Sequence, residues 1–146
     1  EEGGEIPVGT YIGTPAIPSI LQAGQIDENE VTIIVEEDGT THGERILIYS
    51  GTESGMNDEP VYYTDEWKVT FDGILQGAQG ELTGIFFNHL VTHGPGTDDP
   101  QNTTDSYGTV YDVHISGDIM SCSLKEADRE IYDDEWDVFS FEATKQ

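Results

Sequence analysis

Apolar and aromatic side chains occupy alternate positions along most of the chain, with almost no stretch of helical period between them. The pattern is clearest where Trp67, Val69 and Phe71 alternate with polar neighbours. Period two places successive side chains on opposite faces of a strand, so each such run predicts a β-strand. About eight runs of this kind predict an all-β chain, with strands at residues 8–14, 30–37, 41–49, 67–76, 81–92, 107–116, 118–124 and 136–144.

Turn signals predict that neighbouring strands pair in sequential antiparallel order. Asp38-Gly39 is the strongest of them, because it supplies the positive φ angles that tight hairpins need. Polar stretches at residues 51–65 and 94–105 predict surface loops.

These elements predict one domain over residues 1–146, with residues 1–5 as a disordered N-terminal tail. Eight sequential strands in an open sheet would expose two unpaired edges, and closure into a barrel removes both. The sequence therefore predicts a roughly eight-stranded, antiparallel, up-and-down β-barrel. A β-sandwich is the alternative, and pairing of the first strand with the last would distinguish the two.

Two short segments carry family resemblances. Gly9-Thr10-Tyr11-Ile12-Gly13-Thr14 resembles the opening of the first strand in calycin-type barrels, the lipocalin and avidin group. There the aromatic ring plugs the closed end of the barrel, and the resemblance implies that Lys145 caps the ring of Tyr11. The Gly-rich segment at residues 80–87 resembles small allene-oxide-cyclase-like barrels. Both resemblances concern the fold, from which function does not follow.

The charge balance excludes two classes of partner. The chain has 30 Asp and Glu against 5 Lys and Arg, a net charge of −25. Nucleic acids and anionic membrane surfaces are bound by clustered basic residues, so neither is expected as a partner. The acidity is interpreted as a solvated, aggregation-resistant surface, with cation binding or a salty habitat as alternatives.

Cysteine content and the start of the chain suggest a location. Cys122 is the only cysteine, which excludes an intrachain disulfide. It shares a predicted strand face with Met120 and Leu124, so a buried structural thiol is expected. No apolar run approaches the ~18 residues of a membrane span. The chain opens with Glu1, so we expect a secreted or cell-surface protein whose export signal has been removed; a removed tag explains this start equally well.

The leading functional hypothesis is a non-catalytic binding protein outside the cytoplasm. The interior of an eight-stranded barrel is just wide enough to be filled by side chains or to hold one small ligand. We expect a small apolar or aromatic molecule in the barrel mouth, with four aromatic residues as candidate contacts: Trp67, Phe87, Tyr111 and Trp136.

Two alternatives stay open. Asp98, Asp99 and Asp105 cluster in one predicted loop and offer the hard oxygen ligands that calcium prefers, which predicts a calcium-assisted surface interaction module. No other cofactor is expected. A cyclase-like or isomerising barrel would instead need an interior polar group, such as His89 or His114, near the cavity, and no known catalytic motif accompanies these histidines.

Overall fold

The computed structural model describes residues 5–15, 25–127 and 140–146. These residues form eight strands and one 3-10 turn at Met56–Asp58. The strands are β1 (Gly9–Gly13), β2 (Gln25–Val35), β3 (Thr40–Ser54), β4 (Pro60–Gln76), β5 (Gln79–His93), β6 (Asn102–Ser116), β7 (Ile119–Ala127) and β8 (Phe141–Lys145).

The strands close into a single antiparallel barrel in chain order. Closure is made by β1 and β8, where Tyr11 pairs with Lys145 and Ile12 with Thr144. This pairing confirms the predicted up-and-down barrel and excludes the sandwich. The architecture is compatible with a calycin-like barrel.

Glycines at positive φ make the tight turns between consecutive strands. Gly39 has φ 92°, Gly77 has φ 73° and Gly117 has φ 61°. In the first of these turns the backbone amide of Thr40 donates to Asp38 Oδ1 at 2.9 Å. The hairpin predicted from Asp38-Gly39 is confirmed, because a left-handed residue there lets the chain reverse without splaying the strands.

Strands β2 to β7 are longer than the sequence predicts, whereas β1 is shorter. Residues 51–65 do not form a loop, because β3 continues to Ser54 and β4 starts at Pro60. Likewise β6 starts at Asn102, so the predicted loop at residues 94–105 ends earlier than expected. Thr and Tyr in these stretches favour extended backbone, and the ladder of neighbouring strands supplies hydrogen bonds for them.

One face of each strand supplies the core. In β4 the predicted inward set of Trp67, Val69 and Phe71 is buried. In β3 the buried positions are Thr41, Arg45 and Leu47, although Ile46 and Ile48 make the opposite face the more apolar one in this part of the sequence.

The inward face of β5 also differs from the apolar pattern. Its buried positions are Leu82, Gly84 and Phe86, whereas Ile85 is 57% exposed. Both faces of this strand carry large apolar residues, so period two alone does not say which face points inward.

Some of the remaining predictions can be compared with the structure, and others concern residues that it does not describe. Cys122 is buried, as predicted. Residues 16–24, the start of the predicted eighth strand and residues 1–4 of the tail lie outside the described residues. Within the described ranges, no helix has the length and apolar character to cross a membrane.

Candidate functional site in the barrel interior

The barrel interior is lined mainly by apolar and aromatic side chains. Trp67 meets Phe86 edge-on, with ring centroids 5.9 Å apart, and Phe86 contacts Tyr107 at 4.9 Å. A second aromatic group centres on Phe71, which lies 5.1 Å from Tyr111 and 5.7 Å from Phe141. The rings of β4, β5, β6 and β8 therefore meet across the interior.

A fully buried cation interrupts this apolar lining. Arg45 is 1% exposed and lies in the middle of β3, where Val31 of β2 and Val69 of β4 are its cross-strand neighbours. Its Nε and Nη2 atoms are buried and make no hydrogen bond. Among the described residues no carboxylate lies within ion-pair distance of Arg45.

Burial weakens the basicity of Arg45 without removing its charge. Burial lowers the pKa of the guanidinium from 12.5 to about 10, and the nearby Tyr111 acts in the opposite direction. No carboxylate within residues 5–15, 25–127 and 140–146 contributes to this pKa. At neutral pH the barrel interior therefore holds a positive charge that the described side chains do not neutralise.

Two further polar groups in the same interior, the hydroxyl of Tyr111 and Oγ1 of Thr109, are buried and have no well-formed hydrogen bond to the described residues. The two side chains interact weakly with each other, because a hydrogen bond with Thr109 lowers the pKa of Tyr111. Both residues lie on the buried face of β6, opposite Leu82 and Gly84 of β5. Burial raises the pKa of Tyr111 above its ordinary value, although Thr109 and Arg45 oppose that rise. Tyr111 is therefore a neutral donor at neutral pH.

The interior also contains a buried carboxylate whose hydrogen bonds are satisfied. Asp65 accepts a hydrogen bond from Trp67 Nε1 at 3.0 Å and another from Asn88 Nδ2. The pKa of Tyr49 is raised by burial, by the charge of Asp65 and by a hydrogen bond to it. Asp65 is four residues along β4 from the residue that pairs with Arg45, a separation of about 13 Å.

The structure places two of the four predicted ligand contacts inside the barrel. Trp67 and Tyr111 are buried in the interior. Phe87 lies on the other face of β5 from the buried Phe86, and its ring contacts His89. Trp136 lies outside the described residues. Only two of the four are therefore brought to one interior.

The predicted calcium ligands are not assembled into a site. Asp98 and Asp99 lie in the exposed segment between β5 and β6, and Asp105 is in β6, opposite Asn88. No three His, Cys, Asp or Glu side chains in the described parts of the chain are placed to hold a metal ion. Calcium binding stays a prediction.

The four histidines are not in the interior. His42 contacts Glu36 at 3.1 Å on the surface, and His89 contacts Asn102 at 2.7 Å. His93 and His114 are exposed. His89 and His114, the polar groups named for the isomerising-barrel alternative, therefore do not lie inside the barrel, and that alternative stays a prediction.

Sequence reasoning missed Arg45 and Thr109 as candidate site residues. Arg45 is two residues from Leu47 and therefore shares its face of β3, and Val31 and Val69 pair with it on the neighbouring strands. The sequence did not show which face of β3 points inward, because the run at residues 46–49 has apolar side chains on both faces.

Comparison with protein-family models, with curated proteins and with solved structures finds no match to this chain.

Proposed function

We propose that the protein is a non-catalytic binding protein that holds a small, largely apolar or aromatic ligand inside its barrel. The observation that carries the proposal is the Tyr111 hydroxyl, which is buried in the interior and has no well-formed hydrogen bond to the described residues beyond a weak interaction with Thr109. A buried tyrosine hydroxyl normally finds a partner, because leaving it unsatisfied costs free energy. A ligand with an acceptor group would provide that partner, and the aromatic lining would contact its apolar body.

We also propose that the barrel is calycin-like in its closed end. Tyr11 occupies the position of the aromatic plug in calycin-type barrels. It is completely buried, and its hydroxyl donates a hydrogen bond to Pro7 O at 2.8 Å. Lys145 pairs with Tyr11 across β1 and β8. A Cβ on Gly9 would come within 2.7 Å of Lys145 Cε, so the lysine stem runs close over this glycine. These positions support the resemblance.

The proposal is tested with N-phenyl-1-naphthylamine, a neutral aromatic dye whose emission increases and shifts to the blue in apolar surroundings. We expect saturable binding of one dye per chain, with the bound dye shielded from acrylamide, a neutral quencher. Absence of saturable binding, or quenching as efficient as for dye in water, would contradict an interior site.

A pair of neighbouring variants locates the dye. At Gly84 an added Cβ would lie 2.6 Å from Thr109 Oγ1 and 3.0 Å from Tyr111 Cε1, so Gly84→Val crowds the interior beside both polar groups. Ile85→Val changes the next residue, which points outward. We expect Gly84→Val to weaken dye binding by roughly tenfold or more, the effect of losing more than about 1.4 kcal/mol, and Ile85→Val to leave it unchanged. Near-UV circular dichroism checks that each variant is folded. If Gly84→Val does not fold, shielding of the bound dye from acrylamide in the unmodified protein decides whether the dye lies inside the barrel.

A further inference from the structure

The charge at Arg45 has no acidic partner in the part of the chain that the structure describes. Buried charges in proteins are normally paired, because an isolated ion in an apolar interior is costly. The chain has 30 acidic residues for 5 basic ones, yet no described carboxylate faces Arg45. The exposed Lys68 and Lys125, in contrast, each contact a glutamate. Since none of the described carboxylates neutralises Arg45, we infer that its counter-charge is an anion from outside the chain.

The two unsatisfied nitrogens of Arg45 indicate the shape of that anion. Nε and Nη2 lie on the same edge of the guanidinium plane, and their N–H bonds run nearly parallel. This edge matches the two oxygens of a carboxylate, which it binds in bidentate fashion. A metal cation is excluded at this position by charge.

A second donor faces the same space. Arg45 and Tyr111 interact electrostatically, although they lie on β3 and β6, which are separated by two strands in the barrel. A Cβ on Gly84 would lie 3.0 Å from Tyr111 Cε1 and 3.1 Å from Val69 Cγ1, so Tyr111 lies beside the residue that pairs with Arg45 on β4. The guanidinium and the Tyr111 hydroxyl together offer donors from two sides.

The surroundings limit the ligand to one negative charge on an apolar body. One guanidinium neutralises one carboxylate, and any further charge would remain unpaired among apolar walls. Leu47, Val31 and Val69 are all fully or almost fully buried next to Arg45, and the Phe71 group lies beside Tyr111. Phosphorylated or polyanionic ligands do not fit this arrangement.

We propose that the ligand is a small monocarboxylic acid with an apolar or aromatic body, whose carboxylate binds the Nε and Nη2 edge of Arg45. This inference rests on the proposed function and adds the chemical class of the ligand. The Tyr111 hydroxyl donates a further hydrogen bond to the carboxylate or to an acceptor close to it.

Displacement of bound N-phenyl-1-naphthylamine tests this inference with two competitors on the same aromatic frame. 2-Naphthoate carries a carboxylate, and 2-naphthamide is its neutral counterpart. At 0.15 M salt, where the repulsion from the acidic surface is screened beyond about 8 Å, we expect naphthoate to displace the dye at a concentration roughly 10- to 100-fold lower than naphthamide. That ratio is expected from hydrogen bonds to a charged group.

Variants assign the preference to Arg45. Arg45→Met should abolish the advantage of naphthoate, so that naphthoate and naphthamide displace the dye at similar concentrations, because the variant lacks both the charge and the N–H donors that bind a carboxylate. Arg45→Lys, which keeps the charge but lacks the planar edge, should retain part of the advantage. Lys68→Met removes a positive charge from the outer face next to Val69 and should have no effect, so it controls for net charge.

Each outcome separates the two proposals. If the dye does not bind the unmodified protein, the binding function itself is wrong. If the dye binds and naphthoate is no better than naphthamide, or if Arg45→Met keeps the naphthoate advantage, the function stands and the assignment of a carboxylate to Arg45 is overturned. If Arg45→Met does not fold, Arg45→Lys and the ratio of the two competitors in the unmodified protein decide.

Discussion

Replacing Arg45 by methionine should make the ligand-free protein more stable. Burial lowers the pKa of Arg45 from 12.5 to about 10. At about 1.4 kcal/mol for each pKa unit, the charged form is about 3 kcal/mol less stable in the folded chain than in the unfolded chain. Methionine has a similar length and no charge, so Arg45→Met removes this cost and keeps most of the apolar stem in place.

The expected gain is about 3 kcal/mol in the free energy of unfolding, which for a chain of this size raises Tm by roughly 6 to 12 °C. The folded-state pKa is lowered, so the cost is fully present below about pH 10, where Arg45 is protonated in both states. The difference between Arg45→Met and the unmodified protein should therefore be constant between about pH 6 and pH 9 and shrink at higher pH, as the folded protein loses the proton first.

Urea unfolding followed by circular dichroism measures this difference. Lys68→Met changes the net charge equally but removes a partly exposed side chain with a surface ion pair, so its effect should stay within about 0.5 to 1 kcal/mol. A loss of about 3 to 5 kcal/mol in Arg45→Met would refute the reasoning. Such a loss is the expected result of removing one partner of a buried ion pair, and it would show that the protein itself neutralises Arg45.

Three further predictions concern other buried or strained positions. Tyr111→Phe should leave the free energy of unfolding unchanged or raise it, whereas Tyr11→Phe should lower it by about 1 kcal/mol, because only the Tyr11 hydroxyl donates to a backbone carbonyl; equal losses in urea unfolding would contradict the contrast. The thiol of Cys122 is buried, and its pKa is raised mainly by burial and to a smaller extent by a nearby carboxylate. Ellman's reagent should therefore label this thiol only in urea. Rapid labelling in buffer without urea would show that the thiol is accessible. Gly117→Ala should cost about 1 kcal/mol, and Gly39→Ala should destabilise the barrel more. A Cβ at Gly39 would lie 2.6 Å from a backbone oxygen, whereas a Cβ at Gly117 would contact nothing within 4 Å. Thermal unfolding of the two variants compares their stabilities.

The candidate site shows how far sequence reasoning reaches. Tyr111 and Trp67 were predicted as interior aromatic residues, and both are buried inside the barrel. Phe87 was predicted with them but lies on the opposite face from Phe86. In β5 both faces carry large apolar residues, and the parity of such a strand is fixed by the register with its neighbours, which is a long-range property.

The sequence by itself determined the strand class, the sequential hairpins and the turn at Asp38-Gly39, since period-two alternation and the φ angles of glycine are local properties. Tertiary structure alone decided which face of β3 points inward, and with it the burial of Arg45. A shift of one residue in the register of a strand moves every side chain from the core face to the solvent face, or the reverse. In this chain that choice placed an arginine, instead of an isoleucine, among the apolar side chains of the interior.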